Sequence, residues 1–403
     1  MCDPLPAVSH AQRLLETYLP HLRPAQQRGL AEWVAGVLAA QSGCEAAVLN
    51  ALTDEGRPAH ATRARLREVL CDGSERAAPC GTNLDVAACF APLAAWIVAW
   101  WVGDTLPLAI DATSLRDRQV VLSLSVLYRG SAIPMAWVVM PHRGKGAWLP
   151  HLERLLALLA PAIPAAMTVL VMTDRGLWSP RLWRAIRANG WHPLMRIRPD
   201  ATFAPVGQRR QQARELIPGA GWCWVGAGVA YKHRATRLPS TLVVVWGTGQ
   251  AEPWLLLTDL PPDAVEGSWY GLRTWIELGF RALKSLGWHW DRSRRTDPVR
   301  IARHWLVLAI ATLLSLAVGT RLEEAARRGR PPGRLRRPRS APAPPPRPRR
   351  VSLFTRGRSW LQRLVLRGHR WWRAWWLWPE ALPDLPPDLH RIRHLAPPGA
   401  AHA

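Results

Sequence analysis

One short stretch, SWYGLRTWIELGFRALK, carries four side chains whose types and spacing could do chemistry. Tyr270, Arg273, Glu277 and Lys284 follow one another at intervals of three, four and seven residues. In an α-helix, at about 100° per residue, they lie within roughly 60° of one another. The stripe could be a solvated face with an Arg–Glu pair at i,i+4. The chain has only four tyrosines, however, and Lys284 stands where the composition favours arginine, so a functional role is the stronger interpretation.

Two further carboxylates follow apolar runs that read as strands. Asp111 ends LPLAID, and Asp174 ends AMTVLVMTD. Each alone could be a turn residue or a helix cap. Ligands bind where strands of an open sheet end, and two carboxylates at neighbouring strand ends repel each other unless a cation lies between them. With Glu277 as a third carboxylate, the residues predict a site for two divalent cations and phosphoryl transfer, because hard cations prefer oxygen ligands. Arg273 and Lys284 would hold phosphates.

The elements that must position these residues belong to the α/β class. From about residue 106 the order β-β-β-α-β-α-β predicts an RNase H-like mixed sheet flanked by helices. We expect four regions along the chain. They are a helical N-terminal region at 1–100, a catalytic domain at 104–319 with a β-rich insertion at about 200–260, a disordered basic Pro/Arg tether at 320–350, and a Trp/Arg-rich region at 351–403 that could contact a partner. The first region could bind DNA ends or be a plain helical cap.

The charge balance points to a polyanionic partner. The chain has 53 Lys and Arg against 29 Asp and Glu, a net charge of +24, which favours nucleic acid. A GC-rich coding sequence could supply part of the arginine excess. The six cysteines show no zinc spacing and are typical of a reducing cytoplasm. The N-terminus does not read as a signal peptide. The longest apolar run, 305–319, is short for a bilayer and predicts a buried core helix and no membrane contact.

With these residues in place, the sequence resembles DDE transposases of the insertion-sequence type, in the IS-four-like group with the Y-x2-R-x3-E-x6-K signature. The segments AIDATSL and VMTDRGLWS resemble the two Asp blocks of that group, and the resemblance covers about 106–318. It implies that Asp111, Asp174 and Glu277 bind Mg²⁺, for which Mn²⁺ can substitute. It also implies a prokaryotic, cytoplasmic cut-and-paste enzyme that pairs two terminal inverted repeats through a homodimer and joins them to target DNA. The region past 320 does not match the dimerisation region of the group.

Several members of this group form a DNA hairpin and stack a flipped base on a tryptophan of the insertion. Trp254 resembles that position, and Tyr270 and Arg273 would contact the neighbouring phosphate. Trp254 could instead be a core tryptophan on a β-strand. Two other functions stay open: a catalytically inactive or domesticated relative that only binds DNA, and an RNase H-like nuclease that cuts RNA–DNA hybrids.

Overall fold

The computed structural model describes residues 6–53, 59–72, 83–115, 118–142, 148–234, 236–339, 342–343, 349–369, 371 and 375–394. The helices in these ranges are α1 Pro6–Tyr18, α2 Pro24–Ala40, α3 Glu45–Leu52, α4 Ala59–Leu70, α5 Ala87–Trp100, α6 Trp148–Leu159, α7 Pro180–Ala188, α8 Thr274–Leu283, α9 Pro298–Arg328 and α10 Leu353–Leu366. The strands are β1 Thr105–Leu115, β2 Gln119–Tyr128, β3 Ser131–Pro141, β4 Thr168–Thr173, β5 His192–Arg196, β6 Thr202–Pro205, β7 Gln211–Gln212, β8 Trp222–Ala230, β9 Leu238–Trp246, β10 Trp254–Thr258 and β11 His390–His394.

All of these strands join one mixed sheet, in the order β3-β2-β1-β4-β5-β10-β9-β8-β6-β7, with β11 pairing to β8. The pairs β1–β4 and β4–β5 are parallel, and β1, β2 and β3 form an antiparallel meander. The elements from β1 to β5, with α6 and α7 between them, follow the predicted order. The prediction of a mixed α/β fold is therefore confirmed. The strands of the predicted insertion extend the same sheet rather than forming a separate one.

Local sequence signals explain two of the connections. Arg129 and Gly130 both have positive φ, 48° and 82°, as a two-residue hairpin turn between right-twisted strands requires. Helix α7 begins after Ser179, whose side chain accepts a hydrogen bond from the amide of Leu182 at 3.0 Å. Pro180 occupies its first position, where the missing N–H has no consequence.

Helix α9 is the central packing element. Its apolar residues are almost all buried, and Trp305 is fully enclosed. It is long and apolar enough to cross a membrane by length and composition, but 94% of its most apolar window is buried inside the protein. The predicted buried helix at 305–319 is therefore present and extends further in both directions.

The prediction of a disordered tether from residue 320 is wrong for its first part. Helix α9 continues to Arg328, and Thr320, Arg321 and Glu324 are buried. Beyond the helix, Arg337 donates hydrogen bonds to backbone carbonyls of the segment that ends α5, at 2.7 and 2.8 Å. Arginine-rich composition predicts no packed structure here, but these guanidinium groups have carbonyl and carboxylate partners. Residues 340–341 and 344–348 lie outside the described part of the chain.

A cluster of four charged residues connects the sheet to the C-terminal segment. Arg129 contacts Glu323 of α9 and donates to Glu380 at 2.8 Å, and Arg349 contacts the same two carboxylates. The Arg129 side chain is only 5% exposed. Removing Arg129 would leave two largely buried carboxylates to share one cation, Arg349, in a medium of low dielectric constant.

We predict that Arg129→Met lowers the free energy of unfolding by about 3–5 kcal/mol, because Glu323 and Glu380 lose a buried cation. Denaturant unfolding followed by circular dichroism measures the change. Arg187→Met is the matched control, since the Arg187 side chain is 56% exposed in its ion pair with Asp259 and exposed pairs contribute little. Equal effects of the two substitutions would contradict a special role for the cluster.

Helix α8 lies very close to β3. A Cβ added at Gly279 would come within 2.7 Å of the Cβ of Ala132, a distance that atoms do not tolerate. We predict that Gly279→Val displaces α8 and costs about 1–3 kcal/mol of unfolding free energy through overpacking. Gly219→Val is the comparison in the same unfolding assay, since a Cβ there meets nothing within 4 Å. A neutral Gly279→Val would show that α8 does not depend on this contact.

Candidate active site

The strand register brings three charged residues to one level at one edge of the sheet. The residue before Asp111 pairs with the residue before Asp174, which in turn pairs with the residue before Arg196. Neighbouring strands are about 4.8 Å apart. The two aspartates predicted from the sequence therefore come together across β1 and β4, and Arg196 lies beside them at the end of β5.

The predicted single helix bearing Tyr270, Arg273, Glu277 and Lys284 is not what the structure has. Residues Gly267–Arg273 form a 3₁₀-helix, α8 begins at Thr274, and Lys284 follows the last residue of α8. In a 3₁₀-helix residues three apart eclipse, so Tyr270 and Arg273 lie one above the other. Tyr270 is turned inward and is 4% exposed, so it does not lie on a solvated stripe.

Arg273 is the centre of the site. Its Nη2 lies 3.0 Å from Oδ2 of Asp111 and 3.8 Å from Oδ2 of Asp174, and its Nη1 lies 3.0 Å from Oε1 of Glu277. The Arg273 side chain is 13% exposed, whereas Asp174 and Glu277 are 40% and 59% exposed. Three carboxylates from distant parts of the chain thus converge on one guanidinium that is closed off from solvent on most sides.

Backbone amides fix the orientation of two of these carboxylates. Oδ1 of Asp111 accepts a hydrogen bond from the amide of Ala112 at 2.8 Å, and Oδ1 of Asp174 accepts from the amide of Leu177 at 3.0 Å. Each aspartate therefore turns its other oxygen, Oδ2, toward Arg273. The backbone of β1 and the loop after β4 thus orient these carboxylates to share a positive charge.

Burial has the largest electrostatic effect on Asp111, and the neighbouring carboxylates add to it. Burial raises the pKa of Asp111, and Asp174 and Glu277 raise it further, against the opposing effect of Arg273. Burial disfavours the charged form of Arg273, but the neighbouring carboxylates raise its pKa overall. A negatively charged cluster that already gathers around a cation is suited to bind more positive charge.

Tyr270 and Trp254 pack next to the carboxylates. The Tyr270 hydroxyl donates to the carbonyl of Thr173, the residue before Asp174, at 3.2 Å. Burial raises the pKa of Tyr270 to about 12, so the hydroxyl keeps its proton. The half-buried Trp254 ring meets the Tyr270 ring edge-on, with centroids 5.2 Å apart. Tyr270 thus supports the strand end that carries Asp174, and Trp254 lies at the same edge of the sheet.

Lys284 lies on the other side of Asp111 along β1. Its Nζ donates to the carbonyl of Ser114 at 2.7 Å and is 5.9 Å from the centre of the Trp290 ring. Burial lowers the pKa of Lys284, which Asp291 partly opposes. The structure therefore places this lysine near the carboxylates but not in contact with them.

Sequence reasoning missed three charged residues at this edge. Glu252 accepts hydrogen bonds from Arg175, which follows Asp174 in the chain, and from Arg196. Arg196 ends the apolar run WHPLMR as the aspartates end theirs, and that shared pattern was the available signal. Glu252 gave no signal, because only the pairing of β5 with β10 brings it close.

The residues fit divalent cations by the chemistry of their donors. Within the described ranges no group of three His, Cys, Asp or Glu side chains is arranged to hold one metal ion. The carboxylates of Asp111, Asp174 and Glu277 contact the Arg273 guanidinium instead. Asp111, Asp174 and Glu277 supply only oxygen ligands, which Mg²⁺ and Mn²⁺ prefer. In the structure, the Arg273 guanidinium supplies the positive charge that a bound cation would supply to these carboxylates.

Comparisons with known proteins bear on the identity of the chain. Among solved structures it is similar to the piggyBac transposase in a cryo-EM structure of the synaptic complex with hairpin DNA, at 10% sequence identity, covering 90% of this chain and 78% of that one. The TM-score of 0.39 is too low to support a conclusion about fold or function. No curated protein matches the sequence. The family described as Transposase DDE domain matches residues 104–314, just over half of the chain, which include Asp111, Asp174 and Glu277. The chain therefore belongs to the DDE transposase family, whose members act on DNA.

Proposed function

We propose that this chain is an active DNA transposase that cuts at terminal inverted repeats with the help of divalent cations and joins the freed ends to target DNA by cut-and-paste. The observation that carries the proposal is the convergence of Asp111, Asp174 and Glu277 on Arg273. A buried structural ion pair needs one carboxylate for one arginine, and a third half-exposed carboxylate has no structural purpose. A catalytic site for phosphoryl transfer needs all three.

The architecture around the carboxylates supports the finer assignment. The sheet order β3-β2-β1-β4-β5, with two aspartates on its central strands, is the arrangement expected for an RNase H-like core. Tyr270, Arg273, Glu277 and Lys284 all lie around the edge where the aspartates stand, which is consistent with the signature of the IS-four-like group. We propose both assignments on these grounds.

In this proposal Asp111, Asp174 and Glu277 hold Mg²⁺, for which Mn²⁺ would substitute. Bound cations would supply positive charge at the attacking and leaving oxygens of a phosphodiester. Arg273 exchanges its carboxylate partners for a DNA phosphate, since guanidinium groups bind both in the same forked geometry. Tyr270 keeps Asp174 in place through its bond to the strand end, and Lys284 adds a second cationic group along β1.

The proposed DNA binding rests on the net charge of the protein, and the proposed assembly rests on its family. A net charge of +24 suits a protein that follows a DNA backbone. We propose a homodimer that pairs two element ends in a prokaryotic cytoplasm. Trp254, half-buried at the active edge beside Tyr270, is proposed to stack a flipped nucleotide during a hairpin step. Base stacking on an aromatic ring is worth about 1–3 kcal/mol and helps to offset the cost of unstacking.

Removing any one of the three carboxylates is expected to abolish cleavage while DNA binding persists. Substitutions of residues that only support metal ligands lower activity about 10–100-fold. We predict a larger loss of the cleavage rate for Asp111→Asn, Asp174→Asn and Glu277→Gln. The measurement uses DNA from both flanks of the coding sequence, labelled on both strands, with purified protein and Mg²⁺. Asp259→Asn, a carboxylate that follows the other end of β10, should cut like the unaltered protein.

Two results would contradict this assignment. Unaltered protein that binds the DNA tightly and never cuts it with Mg²⁺ or Mn²⁺ would identify an inactive, DNA-binding relative. Cutting of RNA–DNA hybrids in preference to duplex DNA would identify a nuclease of a different kind.

Trp254→Ala is expected to leave the first strand cleavage unchanged. It should lower the yield of a hairpin-sized product by about 5- to 150-fold, the equivalent of one lost base stack. Trp254→Phe keeps an aromatic face and should retain most of the product. Denaturing gels of the same labelled DNA separate the nicked and hairpin species. Equal hairpin yields from the Ala and Phe variants would show that Trp254 is only a packing residue.

A further inference from the structure

A proline-rich segment passes beside the 3₁₀-helix that carries Arg273. Residues 379–394, here called the strap, begin with the sequence PEALPDLPP and end in β11, which pairs with β8. Proline fixes one backbone dihedral angle, so a chain rich in proline is semi-rigid. The strap is therefore suited to hold a neighbouring element at a set position.

The strap approaches the 3₁₀-helix at both ends. Near the first turn, the Ser268 hydroxyl donates a hydrogen bond to the carbonyl of Pro383 at 2.6 Å. Near the last turn, Leu272 and the strap residue Leu382 line the same cavity of about 280 Å³. The helix that ends at Arg273 is thus in register with the strap along its length.

Glu266 fixes the start of the 3₁₀-helix to the end of the strap. Its backbone occupies the position before the helix, but its side chain makes no capping hydrogen bond there. The carboxylate instead contacts Arg391 and Arg393 of β11, the second at 3.3 Å from Nη2 to Oε1. The Glu266 side chain is 22% exposed, so water screens this contact less than it screens a surface ion pair.

A 3₁₀-helix depends on external support of this kind. Its hydrogen bonds have poorer geometry than those of an α-helix, so it holds its shape less firmly by itself. The sheet supports it at Gly267, where an added Cβ would lie 2.1 Å from Cγ2 of Val245 in β9. The strap supports it at the neighbouring residues Glu266 and Ser268.

We propose that the strap positions Arg273 for catalysis, acting through Glu266 and Ser268 at the start of the 3₁₀-helix. The proposal rests on the proposed function, since Arg273 receives its DNA phosphate there. It gives residues 379–394 a role within their own chain, whereas the sequence suggested contact with a partner. Displacement of a positioned group by about 1 Å can lower a rate about 100-fold. A loosened helix should therefore slow cleavage although no group that binds DNA is removed.

The test separates the rate of cleavage from DNA binding. Single-turnover cleavage of the labelled flank DNA with Mg²⁺, across a range of protein concentrations, gives the maximal rate and the half-saturating concentration. Glu266→Gln and Ser268→Ala should each lower the maximal rate about tenfold or more. The half-saturating concentration should change less than about threefold, because Arg273 supplies one of many phosphate contacts. Asp384→Asn, which alters an exposed carboxylate of the strap, is the matched control and should cut at the unaltered rate.

A double-mutant cycle with Arg273 identifies the route of the effect. Lysine has no forked guanidinium to align. In an Arg273→Lys background, Glu266→Gln should therefore change the maximal rate less than about threefold. An equal loss in both backgrounds would show that the strap only stabilises the fold, and it would overturn the proposal.

Conservative changes in the strap give a second measure, which decides the question if Arg273→Lys cuts too slowly to follow. The double variant Arg391→Gln/Arg393→Gln removes both partners of Glu266 and should slow cleavage about tenfold or more. Arg391→Lys/Arg393→Lys keeps both charges and should retain most of the rate. Equal rates for these two double variants would contradict the role of the ion pairs.

Thermal unfolding identifies any variant that fails to fold, and Ser268→Ala, which removes a single hydrogen bond, then carries the test. Glu266 and Ser268 variants that cut as fast as the unaltered protein would overturn the role of the strap alone. Unaltered protein that never cuts DNA would overturn the proposed function itself.

Discussion

Carboxylates that lie close together repel one another, and Arg273 supplies the charge that lets three of them gather in this chain. Asp111 does not end its strand as the sequence predicted, because β1 continues to Leu115 by pairing with β2. The Arg273 guanidinium contacts Asp111, Asp174 and Glu277 at 3.0 to 3.8 Å from a nearly enclosed position. Without a cation there, at least one carboxylate would take up a proton or turn away. The remaining features of the site serve to hold this arginine and its partners in register.

Each partner is held by a different part of the fold. The parallel register of β1, β4 and β5 aligns the two aspartates, and the hydroxyl of Tyr270 secures the end of β4. Close packing of α8 on β3 at Gly279 sets the position of Glu277. Side chains that hold the site therefore come from the sheet, the 3₁₀-helix and α8, and all of them pack on the core that α9 fills.

Much of this arrangement could be predicted from the sequence because it is local. Apolar runs ending in Asp111 and Asp174 predicted the strands, and the spacing around Glu277 predicted a helix that presents it. The 3₁₀ winding of 267–273 was not predictable, since helical periodicity alone does not distinguish 120° from 100° per residue over one turn. The pairing of Glu252 with Arg175 and Arg196 depends on β10 lying beside β5, and strand order between distant segments has no local signal. The prediction of disorder from composition was wrong for residues 320–328, because arginine side chains there have buried partners.

The pairing of β11 with β8 joins residues 390–394 to residues 222–226. During synthesis on the ribosome, β8 emerges long before β11, so this part of its edge stays unpaired until residues 390–394 have been translated. An edge strand without its partner is a template for pairing with other chains. A product truncated before residue 390 would carry that open edge, and newly made copies would depend on chaperones or rapid completion to avoid associating with one another.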